Sequence, residues 1–131
     1  MMVKMMVKIV VLLENTTESS KLKCKHGLSL YAETEKHKIL FDMGPNDFFL
    51  RNAETLGVDI ADIDIAVISH GHVDHCGGLK YFLGKTRKRK FIFARRHWKS
   101  TMSKSLVSLF MREWTERFCP QIGLCLPMTL M

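Results

Sequence analysis

The ten residues Ser69–Gly78, SHGHVDHCGG, place three of the chain's six histidines and one aspartate within six positions. Imidazole nitrogens and carboxylates are the donors that zinc and similar ions take, at about 2.0 to 2.1 Å. Residues two apart at the end of a strand project to the same side, so His70 and His72 can share one ion. Asp74 and His75 follow where the chain turns. They can aim at a second position a few ångströms away, the layout of a two-metal hydrolytic site. A closed structural zinc site takes four ligands, usually with cysteine; a nitrogen and oxygen set leaves a position for water, which favours catalytic use.

These donors need a scaffold, and the flanking pattern supplies alternating strands and helices. Val7–Asn15 is rich in β-branched residues and reads as a buried strand, followed by the polar loop TTESSK. Leu28–Glu33 and Lys38–Asp42 read as the two arms of a hairpin around the charged turn TEKH. PNDFFLRNAETLG reads as a helix: Pro45 at its start, Asp47 near the positive end of the dipole, Gly57 closing it, and Phe48, Phe49, Ala53 and Leu56 at helical spacing. Asp62–Ser69 is a strand that runs straight into His70. Gly77 and Gly78 lead into a short helix carrying Leu79, Phe82 and Leu83, and KFIFAR makes a last strand. The fold class is mixed α/β (α+β). Beyond Ser100 the character changes: SLVSLFMREWTERF sets Leu106, Leu109, Phe110 and Trp114 on one helical face, and the apolar CPQIGLCLPMTLM has no assignable period. The chain is expected to divide into residues 1–100 and a tail, 101–131, helical and then irregular.

A chain of 131 residues suits one domain with a core. An apolar share of 47% and a charged share of 25% exclude a disordered or fibrous class. No span reaches the roughly 18 apolar residues of a membrane helix. The opening MMVKMMVKIVVLLEN lacks a small-residue cleavage site after its short apolar run, so the cytoplasm is the expected location. Its repeated MMVK leaves the start open between Met1 and Met5 or Met6. Cys24, Cys76, Cys119 and Cys125 form no C-x-x-C pair and are expected as reduced thiols. Much of the net charge of +7 comes from KTRKRK (85–90) and ARRHWK (94–99). Such short runs are usually solvated connections, and a phosphate- or RNA-gripping patch is the sharper alternative. His37 and His97 have no motif around them and are expected on the surface.

SHGHVDHCGG resembles the H-x-H-x-D-H signature of the metallo-β-lactamase superfamily, and ILFDMG (39–44) resembles the strand and turn preceding it. HGLSL (26–30) and the run from Ile39 to Leu79 look more narrowly like the superfamily's dihydropterin phosphate synthase branch. The resemblance covers about Val7 to Arg96. It implies the N-terminal part of an αββα sandwich with two divalent metal ions at one sheet edge, zinc first, with manganese or iron accepting the same set. His70 and His72 would hold the first ion, Asp74 and His75 the second. A hydroxide between the ions would attack a small phosphoester or pterin-phosphate substrate, with Asp74 orienting it. Asp42 would fix a ligand from behind, or serve only as a turn aspartate before Gly44. His26 would face the substrate, or be a solvated loop histidine.

The resemblance also sets expectations through what is missing. Family members are longer, and their second half brings a further histidine for each metal and a bridging aspartate. After Asp74 this sequence has no aspartate, and His97 is its only histidine beyond the cluster. Each ion would thus have two protein ligands, short of the three of a catalytic zinc. The chain therefore reads as an N-terminal portion whose turnover is in doubt. A portion supplying mainly the first sheet leaves an apolar face uncovered. Self-association or a missing covering segment is expected, and the amphipathic tail is one such segment. An RNA-processing nuclease relative and a non-catalytic metal-binding fragment are the alternatives, although nucleic acid is not the expected partner.

Overall fold

The computed structural model describes residues 6–86 and 90–93. Five strands, β1 (Lys8–Leu13), β2 (Ser29–Glu33), β3 (Lys38–Phe41), β4 (Ile65–Ile68) and β5 (Lys90–Phe93), form one sheet in the order β1-β2-β3-β4-β5. β1, β2 and β3 are antiparallel neighbours, and β3, β4 and β5 are parallel. Parallel neighbours need a crossover. Helix α1 (Phe48–Leu56) and a 3-10 turn (Ile60–Asp62) connect β3 to β4, and α2 (Val73–Cys76) and α3 (Leu79–Lys85) follow β4. The mixed sheet and hairpin agree with the expected α+β class.

Alternation along the strands sorts the two faces. Tyr31, Leu40, Ala66 and Ile68 point into a core completed by Leu12, Met43, Phe49, Ile63, Leu79 and Phe82, all at most 4% exposed. Burying one such large apolar side chain stabilises by about 1.5 to 3 kcal/mol. The opposite face carries Ile9, Val11, Leu30, Ala32, Ile39, Phe41, Ile65 and Val67, which are matched across the sheet in register. None of these is buried, and Ile9 and Val11 are 65% and 47% exposed.

Helix α1 departs from expectation in two places. It begins at Phe48 with Asp47 as a cap residue that makes no side-chain cap bond, and Pro45 lies before it. Gly57 closes it in the left-handed conformation, as its lack of a β-carbon permits. Leu56, at helical spacing with Phe48, Phe49 and Ala53, is 40% exposed, while Asn52 is buried. The Asn52 amide donates to the carbonyls of Leu12 and Lys23, each at 2.7 Å, and its oxygen accepts from the Lys23 amide at 2.8 Å. A polar side chain therefore fastens the helix to the end of β1, and these bonds offset the cost of burying it.

Candidate metal centre

Strands β3 and β4 run parallel and end together, which brings the turn after each to one edge of the sheet. β4 ends at Ile68, two residues short of His70, so His70 and His72 lie on the loop beyond the strand. Asp42, just past β3, is fully buried and adopts a left-handed backbone (φ 54°), a conformation that aspartate tolerates better than most residues. Its amide donates to the Val67 carbonyl at 2.8 Å, which ties the two turns together. Asp74 and His75 sit on the single helical turn α2, not on an irregular bend. Gly78 lets that turn approach closely: its amide donates to the Gly44 carbonyl, and a β-carbon there would collide with the Met43 carbonyl oxygen.

One carboxylate organises the cluster. Asp42 Oδ1 accepts from the Ser69 amide at 2.8 Å, and Oδ2 accepts from the Ser69 hydroxyl at 2.6 Å. His75 Nδ1 lies 2.7 Å from the same Oδ2, so that ring nitrogen carries a hydrogen and donates it. The Ser69 hydroxyl has one hydrogen, which goes to Asp42; its contact with His70 Nδ1 at 2.8 Å is then donation from the ring to Oγ. Both rings consequently leave Nε2 outside these bonds. Orienting a ring through its other nitrogen is how proteins prepare histidine ligands. Burial, with the like charges of His75 and His72 beside it, lowers the His70 pKa below the ordinary histidine value and favours the neutral, ligating form.

The four expected ligands are brought together. The His70 ring lies 4.8 Å from that of His72 and 4.2 Å from that of His75, centre to centre. Asp74 Oδ2 is 3.3 Å from His75 Nε2. Two acceptors this close need a proton or a cation between them. His26 joins the rim: its exposed ring places Nε2 3.4 Å from Asp74 Oδ2, and the Leu28 amide donates to the Asp74 carbonyl. Cys76 is buried, and that burial pushes its thiol up to about 11, as befits packing and not ligation. His37 is exposed. His97, residues 87–89 of KTRKRK and the tail from Ser100 lie outside the described residues, as does the expected boundary at residue 100.

A metal needs more than donor types. Among the described residues, no group of three or more histidine, cysteine, aspartate or glutamate side chains is arranged to hold an ion. The donor types suit a divalent ion, and the Nδ1 atoms of His70 and His75 are already engaged, which leaves Nε2 as the ligating nitrogen of each. Sequence reasoning did not assign Ser69, which relays between His70 and Asp42. Its only signal was its place directly before the first histidine.

The sequence profile of the metallo-beta-lactamase superfamily matches residues 23–109. The chain belongs to this superfamily. It is 41% identical over 78 residues to the uncharacterized protein MJ0448 of Methanocaldococcus jannaschii, covering 60% of this chain and 29% of that protein. It is 37% identical over 75 residues to the 7,8-dihydropterin-6-methyl-4-(beta-D-ribofuranosyl)-aminobenzene-5'-phosphate synthase of the same organism, covering 53% and 26%. A diphosphatase from the PhnP family superposes with a TM-score of 0.52 at 20% identity, over 83% of this chain and 49% of that one, and shares the fold. The chain thus spans less than a third of the length of these two curated relatives. Among the described residues no helix is long and apolar enough to cross a membrane.

Proposed function

We propose that this superfamily member carries the metal-binding portion of a hydrolase acting on small phosphorylated substrates, phosphoester or pterin phosphate in type. The observation that carries this reading is the buried Asp42 carboxylate, which turns Nε2 of His70 and His75 toward one cluster with His72 and Asp74. His70 and His72 on one side, and Asp74 and His75 on the other, would hold the divalent ions. When bound, such ions supply Lewis-acid polarisation and charge neutralisation at a phosphoryl oxygen. The chain's own residues do the rest. Asp42 and Ser69 keep the ring protons on Nδ1, and His70 is held neutral by burial. His26 stands at the exposed rim, where a substrate's polar group would pass. The likeness to the pterin-phosphate synthase supports the substrate class.

The test is metal content per chain by elemental analysis, with the double variant His70→Ala, His72→Ala alongside. Near-stoichiometric metal in the parent, lost in the variant, is expected, together with metal-dependent release of nitrophenol from bis(p-nitrophenyl) phosphate. Parent metal no higher than the variant's would overturn the metal assignment.

A further inference from the structure

The Asp74 carboxylate has an imidazole on each side. Its Oδ2 lies 3.3 Å from His75 Nε2 and 3.4 Å from His26 Nε2. Both separations exceed the length of about 2.7 to 2.9 Å that a charge-assisted hydrogen bond takes. They match the spacing between two ligands of one tetrahedral zinc: bonds of about 2.0 to 2.1 Å at the tetrahedral angle set the donor atoms about 3.3 to 3.4 Å apart.

We propose that His26 is a third protein ligand of the ion held by Asp74 and His75, bound through Nε2. The proposal rests on the reading that those two residues hold a metal. It extends that reading by giving their ion the three protein donors of a catalytic zinc, with one position left open. Two imidazoles and one carboxylate suit ferrous iron as well.

The backbone is built to bring His26 there. The Leu28 amide donates to the Asp74 carbonyl at 3.3 Å, and the Gly44 amide donates to the Leu28 carbonyl at 2.9 Å. On the other side of the loop, the Gly27 amide donates to Asn15 Oδ1 at 3.0 Å. Gly27 itself has a φ of 141°, and a β-carbon on it would collide with the Asp74 carbonyl oxygen. Only glycine permits so close an approach, so the residue after His26 is pressed against the backbone of the ligand it would join. Among the described residues the three donors are not closed around one point. A turn of the His26 ring is the move that closes them. Its side chain is 81% exposed and has room to turn, whereas those of Asp74 and His75 are partly buried.

The experiment loads the full chain, its histidines labelled with the spin-active nitrogen isotope, with spin-active cadmium as the probe. The cadmium spin splits the signal of a nitrogen bound directly to it. Splitting is expected at Nε2 of both His75 and His26. In calorimetry, His26→Ala should bind zinc more weakly by more than the roughly tenfold that loss of an outer partner costs, and His26→Glu, which returns an oxygen donor, should regain much of it. Splitting at His75 but not at His26, with zinc bound as tightly by His26→Ala as by the parent, overturns the proposal and leaves the assignment of Asp74 and His75 standing. Splitting at neither histidine overturns both.

Discussion

The two ends of strand β3 carry the same kind of chemistry in opposite circumstances. At its far end Lys38 Nζ meets Asp62 Oδ2 at 2.6 Å, both side chains more than a third exposed, and Lys8 lies 4.0 Å from Glu33 nearby. At its C-terminal end Asp42 is wholly buried and accepts from a backbone amide, a hydroxyl and an imidazole. An exposed pair is solvated whether or not it forms, and salt screens it. A buried carboxylate has no water to fall back on, so each of its bonds is required and each fixes a partner's direction. Hence one end of the strand can orient metal ligands, while the other only decorates the rim.

Removing the buried partner should break the contrast most severely. Asp42→Ala leaves the Ser69 amide, the Ser69 hydroxyl and the His75 ring proton without an acceptor, and a loss of about 2 to 4 kcal/mol is expected in urea unfolding. Asp42→Asn, which tolerates the left-handed backbone and keeps an acceptor, should lose clearly less. Equal losses would show that the carboxylate charge alone matters. Ser69→Ala is smaller, about 0.5 to 1.5 kcal/mol for one hydrogen-bonding hydroxyl. Its sharper signature is in the nitrogen NMR of His70, whose hydrogen should no longer be confined to Nδ1, while the His75 tautomer is kept by Asp42.

Tyr31, at the far end of the sheet, offers a test by pH. Burial first, and then the Glu33 carboxylate, push its phenol up to about 12. The fold favours the neutral phenol. Its contribution is therefore fully present below about pH 10, the unfolded value, and is lost as pH rises through about 12. Denaturation midpoints should fall over that window in the parent, and fall less in Tyr31→Phe. The smallest effect belongs to Asp62→Asn. Asp62 raises the Lys38 pKa through its hydrogen bond, yet in 0.5 M salt no measurable change in stability is expected. A loss matching that of Asp42→Asn would erase the distinction between the two ends.

Much of the architecture was legible because local rules and tertiary packing agree. The hairpin arms, the helix closed by Gly57 and the strand leading to the histidines each carry their own period or turn signal. Leu56 shares the helical spacing of Phe48, Phe49 and Ala53 yet is exposed, while Asn52, which the sequence reading did not single out, is buried. Helical spacing says which residues share a side, but the β1 carbonyl that Asn52 caps is forty residues away and invisible to a local pattern. Ser69 escaped in the same way, since a serine beside a metal motif has no distinguishing type.

By itself the sequence determined the donor types, their spacing and their superfamily, because ligand chemistry is a property of side chains and six consecutive residues carry it. Only the tertiary structure decided which nitrogen of each ring is free, since that depends on Asp42, nearly thirty residues upstream, being delivered to Ser69 and His75 by parallel pairing of β3 with β4. It also decided which face of the sheet is buried. Alternation says that a strand has two sides, and packing of α1 and α3 chooses between them.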